Sequence, residues 1–159
     1  MTKPRLRVPV SSGYHYEKLN ASVREIRLLN LLKKGRMGDP VGCALGTISL
    51  DDQQVPAYYA LSYVWGSAAD TREVTLENHA FSITANLHTA LCFMRGSESD
   101  VLIWTDAVCI NQDDIDERGR QVALMGDIYI AAEACACSGW GVRMARALSR
   151  LGVSLTCIR

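Results

Sequence analysis

The amino-acid sequence predicts an α/β fold in which helices pack against a partly parallel sheet. Candidate strands and helices alternate along the second half of the chain, as they do in α/β layer architectures. The run Val101 to Trp104 is wholly apolar, which is typical of a strand that is buried on both faces of a parallel sheet. With 159 residues, 48% of them hydrophobic, the chain is long enough for one domain with a substantial core.

Three candidate strands precede the glycine at position 66. Glu25 to Leu32 is strongly apolar and fits a strand or a short helix. We favour a strand, at the edge of the sheet, whose flanking Lys and Arg side chains are solvated. The alternative for this basic flank is contact with a nucleic acid or a membrane surface. Val41 to Leu50 is a second short candidate. Tyr58 to Trp65 is rich in aromatic and β-branched residues and is closed by Gly66, which predicts a buried strand.

A β-hairpin and a helix are predicted next. Residues 73–76 and 80–83 flank a polar turn, which is typical of two hairpin strands. The helix is expected to begin after a cap at Thr84 or Asn86. Its apolar residues recur at i, i+3, i+4 and i+7, namely Leu87, Ala90, Leu91 and Met94.

A loop is predicted over residues 107–113, followed by a second helix. Asp114 and Glu117 form an acidic version of a capping pair, and Asp116 adds negative charge where the helix dipole favours it. The helix face that we expect to pack on the sheet consists of Val122, Met125, Gly126 and Tyr129.

The formal net charge of zero conceals an uneven charge distribution. Residues 1–36 carry nine Lys and Arg against two acids, a net +7. Residues 37–133 carry four Arg against fifteen acids, a net −11. Residues 134–159 carry four Arg and no acid, a net +4, and show no strand pattern, so we expect an atypical basic tail there. Prolines and a Ser-Ser-Gly stretch predict a flexible basic arm over residues 1–15.

The cysteines and the N-terminal residues predict a cytosolic or nuclear protein, and we favour a cytoplasmic location. No apolar segment follows the basic N-terminal residues, so we expect no secretory signal, and no run of about 18 apolar residues predicts a membrane span. The six cysteines form no CxxC pair and no finger-like Cys/His spacing, so we expect reduced thiols and no metal site. Cys92 and Cys109 lie in apolar stretches, where we expect both to be small core residues.

Polar and aromatic side chains gather where two candidate strands end. One set is Ser62, Tyr63 and Trp65, and the other is Asp106, Asn111 and Gln112. Ligands of open α/β sheets bind outside the carboxyl ends of the strands, so we expect a concave site that suits a nucleotide or a peptide. The alternative is that the tryptophans belong to the core and that Asp106 and Asn111 bind backbone N–H groups of the loop.

Two carboxylates are candidates for chemistry. Glu117 is either a helix-capping residue, the partner of Arg118 in a charge-assisted hydrogen bond, or a general base. Asp106 is the second candidate. The sequence contains no GxSxG elbow, no phosphate loop and no HExxH motif. A nucleophilic pair of Cys109 with His88 has no supporting spacing.

Three sequence blocks, taken in order, carry a family resemblance. They are YALSYVWG at residues 59–66, LIWTDAVCINQ at residues 102–112, and the spaced residues Glu117-Arg118, Gln121-Val122, Met125 and Ile128-Tyr129. In this combination the chain resembles the fungal heterokaryon-incompatibility (HET) domain over residues 16–133. The resemblance decays after Glu133, which we interpret as truncation or a change of reading frame.

The resemblance implies both a fold and a function. It implies a TIR-like, flavodoxin-like sheet that is partly parallel, with flanking helices, a β-hairpin and an incomplete C-terminal part. It also implies a signalling or effector domain of fungal allorecognition and programmed cell death. Such a domain is expected to act through protein partners or self-association, without a cofactor and without a nucleic acid.

An enzymatic role is the alternative that the resemblance leaves open. Some TIR-like domains cleave NAD, which would then be the substrate, and their catalytic glutamate is expected on a helix that should follow residue 133. No Asp or Glu follows Glu133 in this chain, so we favour protein interaction over catalysis. A third alternative is an inert truncated fragment.

Overall fold

A computed structural model gives the structure of residues 13–36, 38–96 and 98–138. These residues form seven strands and three helices, so the predicted α/β class is confirmed. The elements are, in chain order, β1 Glu25–Leu31, β2 Gly42–Ser49, β3 Tyr59–Tyr63, β4 Thr71–Leu76, β5 His79–Thr84, α1 Ala85–Met94, β6 Val101–Trp104, α2 Asp106–Cys109, α3 Ile115–Ala131 and β7 Ala134–Ser138. Most of the predicted arm and most of the predicted tail, residues 1–12 and 139–159, lie outside the described residues.

The sheet is mixed, with the strand order β5-β4-β2-β1-β6-β3-β7. Strand β1 pairs antiparallel with both β2 and β6, and β4 pairs antiparallel with β5. Strand β3 lies parallel to both β6 and β7, and β2 lies parallel to β4. The carboxyl ends of β6, β3 and β7 therefore meet at one edge of the sheet. The TIR-like identity of this sheet stays a prediction.

Strand β1 lies in the interior of the sheet, so the prediction of an edge strand was wrong. It is hydrogen-bonded to β2 on one side and to β6 on the other. Its buried apolar residues are Ile26, Leu28, Leu29 and Leu31. Because their positions alternate between the two faces of the sheet, both faces of β1 are covered, as in a central strand. The Arg27 side chain, which lies inside this strand, is buried as well, whereas the flanking Arg24, Lys33 and Lys34 are exposed.

The predicted hairpin and first helix are confirmed. Strands β4 and β5 are joined by Glu77 and Asn78, whose φ values of 48° and 66° suit the type I′ turn that two-residue hairpins prefer. Thr84 caps α1, because its Oγ1 accepts a hydrogen bond at 3.3 Å from a backbone N–H of the first turn. Asn86, the other predicted cap, donates from Nδ2 to the Val64 oxygen at 2.9 Å. Asn86 thereby holds the segment after β3 against the start of α1.

The predicted loop before the second helix is partly helical. Asp106–Cys109 form α2, a single turn in which the Cys109 N–H donates to the Thr105 oxygen at 2.9 Å. The prediction of a loop over residues 107–113 was therefore wrong at its beginning. A helix of one turn is too short to show the periodicity by which helices are recognised in a sequence.

Helix α3 begins where predicted, but its inward face overlaps the predicted face only in part. Asp114 caps the helix by accepting a hydrogen bond from the Glu117 N–H at 2.9 Å. The buried residues of α3 are Glu117, Gln121 and Ile128. Of the four residues predicted to pack on the sheet, Met125 and Tyr129 pack against the core, whereas Val122 and Gly126 are exposed.

Polar residues of α3 face inward because each has a buried partner. Gln121 Nε2 donates to the backbone oxygen of Glu25 in β1 at 2.8 Å. Glu117 binds the Arg27 side chain of the same strand. Hydrophobic periodicity counts only apolar side chains, so it assigns a polar inward face of this kind to solvent.

Strand β7 extends the sheet into the predicted tail. Ala134–Ser138 pair in parallel with the whole of β3, from Tyr59↔Ala134 to Tyr63↔Ser138. The expectation of no strand after Glu133 was therefore wrong. The strand consists of alanine, cysteine and serine, and it lacks the β-branched and aromatic residues that mark a strand in a sequence.

A buried ion pair joins β1 to α3. Arg27 binds Glu117 through two hydrogen bonds, Nη1–Oε1 at 2.6 Å and Nη2–Oε2 at 3.0 Å, and the two side chains are only 2% and 4% exposed. Both charges are removed from water, and the attraction between them offsets the free-energy cost of this desolvation. Glu117 Oε1 also accepts a hydrogen bond from the Asn111 N–H at 2.9 Å, which anchors the loop before α3.

Arg27 also binds the segment that precedes β1. Its guanidinium donates hydrogen bonds to the backbone oxygen of Glu17 and, at 3.2 Å, to the backbone oxygen of Cys109. It lies 4.9 Å from the centre of the Tyr16 ring, a cation–π contact. Tyr16 Oη in turn donates to the Val108 oxygen at 2.8 Å. One side chain of β1 therefore holds the N-terminal segment, α2 and α3 together.

The described cysteines differ in exposure. Cys109 is buried, as predicted, and burial raises the pKa of its thiol to about 12. Cys43 is also buried, and burial raises its pKa to about 12. Cys92 was predicted to be a core residue, but it is exposed on α1 beside His88, with Sγ 3.7 Å from Nδ1. The buried face of α1 consists of Leu87, Ala90 and Leu91, and Cys92 lies outside it.

Removing the Arg27 guanidinium is expected to destabilise the domain. In Arg27→Met the Glu117 carboxylate stays buried without its counter-charge, so the free energy of unfolding should fall by about 3–5 kcal/mol. Urea-induced unfolding followed by circular dichroism measures this change. The matched control is Arg72→Met, which removes the partner of Asp70 in an exposed ion pair and should cost less than about 1 kcal/mol. Equal losses in the two variants would contradict the role assigned to Arg27.

Thiol labelling is expected to distinguish the buried cysteines from the exposed one. A raised pKa leaves less thiolate at about pH 8, and thiolate is the form that iodoacetamide attacks. Cys43 and Cys109 should therefore stay unlabelled in the folded chain while Cys92 reacts, and all three should react in urea. Peptide mass spectrometry measures each site separately. Rapid labelling of Cys109 in the folded chain would show that the packing around α2 is wrong.

Candidate functional site

The candidate site lies at the carboxyl edge of the parallel strands β3 and β6. There the structure brings together residues from the ends of both strands and from the start of α1. We call this group the carboxyl-edge cluster, and it consists of Tyr63, Trp65, Thr84, Thr105 and Asp106. Tyr63, Trp65 and Asp106 were predicted site residues, whereas the two threonines were not.

The Tyr63 hydroxyl is buried within this cluster. It lies close to the side chains of Thr84 and Thr105, but it makes no hydrogen bond of normal geometry with either of them. Burial raises the pKa of Tyr63 far above its usual value, and the negative charge of Asp106 raises it further. The phenol is therefore neutral at physiological pH. Thr105 Oγ1 is likewise buried without a hydrogen-bond partner among the described residues.

Trp65 lies against Tyr63 at the end of β3. The two rings are within 4° of parallel, and their centroids are 6.3 Å apart. Trp65 is half-buried, whereas the predicted site residue Ser62 is exposed. The chain turns at Gly66, whose φ of 73° is in the left-handed region. A Cβ at Gly66 would also lie 2.7 Å from Asn86 Nδ2, so both the backbone conformation and the space require glycine.

The two predicted amide side chains bind backbone groups of their own loop. Asn111 Oδ1 accepts a hydrogen bond from the Asp113 N–H at 3.2 Å, as the alternative interpretation expected. Gln112 Nε2 donates to the Asp106 oxygen at 2.8 Å. Arg118 Nη1 donates to the Gln112 oxygen at 3.2 Å. These side chains therefore fix the loop between α2 and α3 and connect it to the backbone of Asp106.

The two candidate carboxylates lie in different environments. The Glu117 carboxylate is buried, and both of its oxygens accept hydrogen bonds from Arg27. The neighbouring Arg118, which was considered as its partner, binds the loop backbone instead. Asp106 begins the short helix α2 and is close enough to Tyr63 for its charge to raise the pKa of the phenol.

Arg27 and Thr105 are the residues of this region that sequence reasoning missed. Arg27 interrupts the apolar segment EIRLLNL, and a charge inside a buried strand signals a buried partner. The sequence does not identify that partner, because Glu117 lies 90 positions away. Thr105 follows the apolar run of β6 and gives no signal of its own.

The Cys109–His88 pair, which the sequence spacing did not support, does not form. Cys109 Sγ lies 3.9 Å from the Ile103 oxygen, and His88 adjoins Cys92. Within residues 13–36, 38–96 and 98–138, no group of three or more His, Cys, Asp and Glu side chains is placed to hold a metal ion. In the same described ranges, no helix has the length and apolar character needed to cross a membrane.

Comparison with known proteins identifies the family. The family model described as "Heterokaryon incompatibility protein (HET)" matches residues 58–146. The chain is 35% identical over 120 residues to "Heterokaryon incompatibility protein 6, OR allele" of Neurospora crassa, a match that covers 67% of this chain and 17% of that protein. No solved structure matches the chain. As the sequence blocks predicted, the chain belongs to the heterokaryon incompatibility (HET) protein family.

Proposed function

We propose that this chain is a signalling module of heterokaryon incompatibility that acts in the cytoplasm by binding protein partners and so leads to programmed cell death. Family membership supports the first part, since the similar Neurospora crassa protein is named for heterokaryon incompatibility. The chain spans 17% of the length of that protein, so the proposal concerns this module and not the whole relative.

The environment of Glu117 is the observation that favours binding over catalysis. Cleavage of NAD calls for a carboxylate that reaches the ribose. Glu117 is 3% exposed, and its oxygens accept hydrogen bonds from Arg27 and from the Asn111 N–H. Use of Glu117 as a general base would disrupt the ion pair with Arg27. We therefore assign Glu117 a structural role.

The partner surface that we propose is the strand end formed by Ser62, Val64 and Trp65. Val64 is 64% exposed, and Trp65 is half-buried. A tryptophan at the surface is a typical anchor of protein interfaces. The Asn86–Val64 hydrogen bond and the stacking of Trp65 on Tyr63 fix this surface before a partner binds, which lowers the entropic cost of binding.

NAD cleavage is the second candidate function, and one observation favours it. Tyr63, Trp65 and Asp106 lie together at the carboxyl ends of parallel strands, where α/β sheets bind ligands. In that case Asp106, and not Glu117, would supply the carboxylate.

Loss of the Trp65 side chain is expected to weaken signalling without unfolding the chain. Expression of the chain in compatible fungal cells should arrest growth, and Trp65→Ala should weaken this effect by about tenfold or more, because it removes the proposed anchor. Colony survival at matched protein levels measures the effect. Phe93→Ala is the control, since it removes an exposed aromatic ring from α1 and should keep full activity. Equal activity of the two variants would contradict the proposed surface.

Incubation of the purified chain with NAD separates the two candidate functions. The binding proposal predicts no release of nicotinamide above that in buffer, measured by chromatography. Release that disappears in Asp106→Asn would establish the second candidate. Release that persists in Asp106→Asn and disappears in a folded Glu117→Gln variant would instead show that the structural role of Glu117 is wrong.

A further inference from the structure

The outward face of α3 carries an apolar stripe that nothing in the described structure covers. Ile115, Val122 and Ile130 are 67%, 43% and 84% exposed. Gly119 and Gly126 lie between them, and a Cβ at either glycine would meet no atom within 4 Å. At 3.6 residues per turn these five positions fall within an arc of roughly 80° on the helix surface. We call these five residues the outer stripe.

The outer stripe has no explanation in the contacts among the described residues of a single copy. Glycine is a poorer helix former than every residue except proline, and α3 contains two glycines in its interior. Both have open space around them, so neither is required by packing against the residues that the structure describes. Exposed isoleucines on the same face are also unfavourable in water. Both features are accounted for if another helix backbone approaches this face closely.

We propose that the outer stripe is a self-association surface on which the α3 helices of two copies pack antiparallel about a twofold axis. An axis near residue 124 places Val122 of one copy over Gly126 of the second copy. The same axis places Ile130 of one copy between Ile115 and Gly119 of the other. Each large side chain then meets a glycine or an apolar side chain, so the stripe is complementary to itself, as a twofold interface requires.

The charges beside the stripe support this register. Arg120 and Asp127 are exposed and lie seven residues apart, on the same flank of α3. The proposed axis brings Arg120 of each copy beside Asp127 of the other, which forms two ion pairs. A shift of the axis to residue 120 would oppose two arginines, and a shift to residue 127 would oppose two aspartates. Asp127 Oδ2 also accepts a hydrogen bond from Arg24 of its own chain at 3.2 Å, which leaves the second oxygen for Arg120.

The expected interface is small. Helix α3 has 17 residues and is about 25 Å long, so a contact between two such helices lies at the low end of specific interfaces. We therefore expect reversible dimers with a micromolar dissociation constant. The biological meaning of this surface rests on the proposed signalling function, but its existence is measured in solution without any signalling assay.

Sedimentation equilibrium of the full chain over a range of concentrations tests the proposal. The wild type is expected to show a monomer–dimer equilibrium. Gly126→Leu should raise the dissociation constant by about tenfold or more, because its side chain fills the space needed by Val122 of the second copy. The same variant should raise the unfolding midpoint of the monomer, since leucine is the better helix former. If Gly126 had a purely structural role, the substitution would not weaken the dimer while stabilising the monomer.

Two further measurements control the test. Gly46→Leu adds the same side chain at an exposed glycine of β2 that also has open space, and it should leave the dissociation constant unchanged. Arg120→Asp should weaken the dimer, and the charge-exchanged variant Arg120→Asp with Asp127→Arg should regain most of the affinity. Loss of the exposed Arg24 contact in that variant is expected to matter little for folding.

The results that would overturn the proposal are distinct from failure of the proposed function. A wild type that stays monomeric throughout the concentration range, or a dimer that Gly126→Leu and Gly46→Leu alter equally, overturns it. A monomeric wild type whose cell-death activity is lost in Gly126→Leu shows that a different protein covers the stripe, which also overturns self-association. A dimer that responds as expected establishes the surface even if the chain provokes no cell death.

Discussion

The ion pair between Arg27 and Glu117 positions most of the region that carries the family sequence blocks. Removing two charges from water is unfavourable, and here it is offset by two parallel hydrogen bonds between them and by backbone groups that satisfy the remaining donors and acceptors. Arg27 belongs to an interior strand, and Glu117 belongs to the first turn of α3. The helix therefore cannot shift along the sheet without exposing one charge or leaving it unpaired.

The position of the candidate site depends on the Arg27–Glu117 ion pair and its neighbouring contacts, and also on helix α1. Asp106 begins α2, and α2 is held through the contacts of Arg27 with the Cys109 oxygen and of Gln112 with the Asp106 oxygen. Trp65 follows β3, and its segment is held by Asn86. The carboxyl-edge cluster is thus fixed by elements distant in sequence, which suits a surface that is formed before its partner binds.

Sequence patterns predicted the local features and missed those that depend on distant partners. The β4–β5 hairpin, the Thr84 cap, the Asp114 cap and the convergence of Tyr63 with Asp106 follow from turn chemistry, capping chemistry and the rule for strand ends. The polar part of the inward face of α3 was missed, because Glu117 and Gln121 are buried only through partners in β1 that lie 90 and 96 positions away. Strand β7 was missed because ACACS has no strand signal of its own and is held by pairing with β3. Of the face that hydrophobic periodicity assigned to the core, Met125 and Tyr129 do pack there, whereas Val122 and Gly126 belong to the outer stripe.

The central claim is that Glu117 acts as the buried counter-charge of Arg27. A double-mutant cycle on unfolding free energies, with Arg27→Met, Glu117→Gln and the combined variant, measures the interaction between the two side chains directly. The structure predicts a coupling energy above about 1.5 kcal/mol, with the second substitution costing much less once the first is present. Additive effects of the two substitutions, within about 0.5 kcal/mol, would contradict the claim and would return Glu117 to the list of candidate catalytic residues.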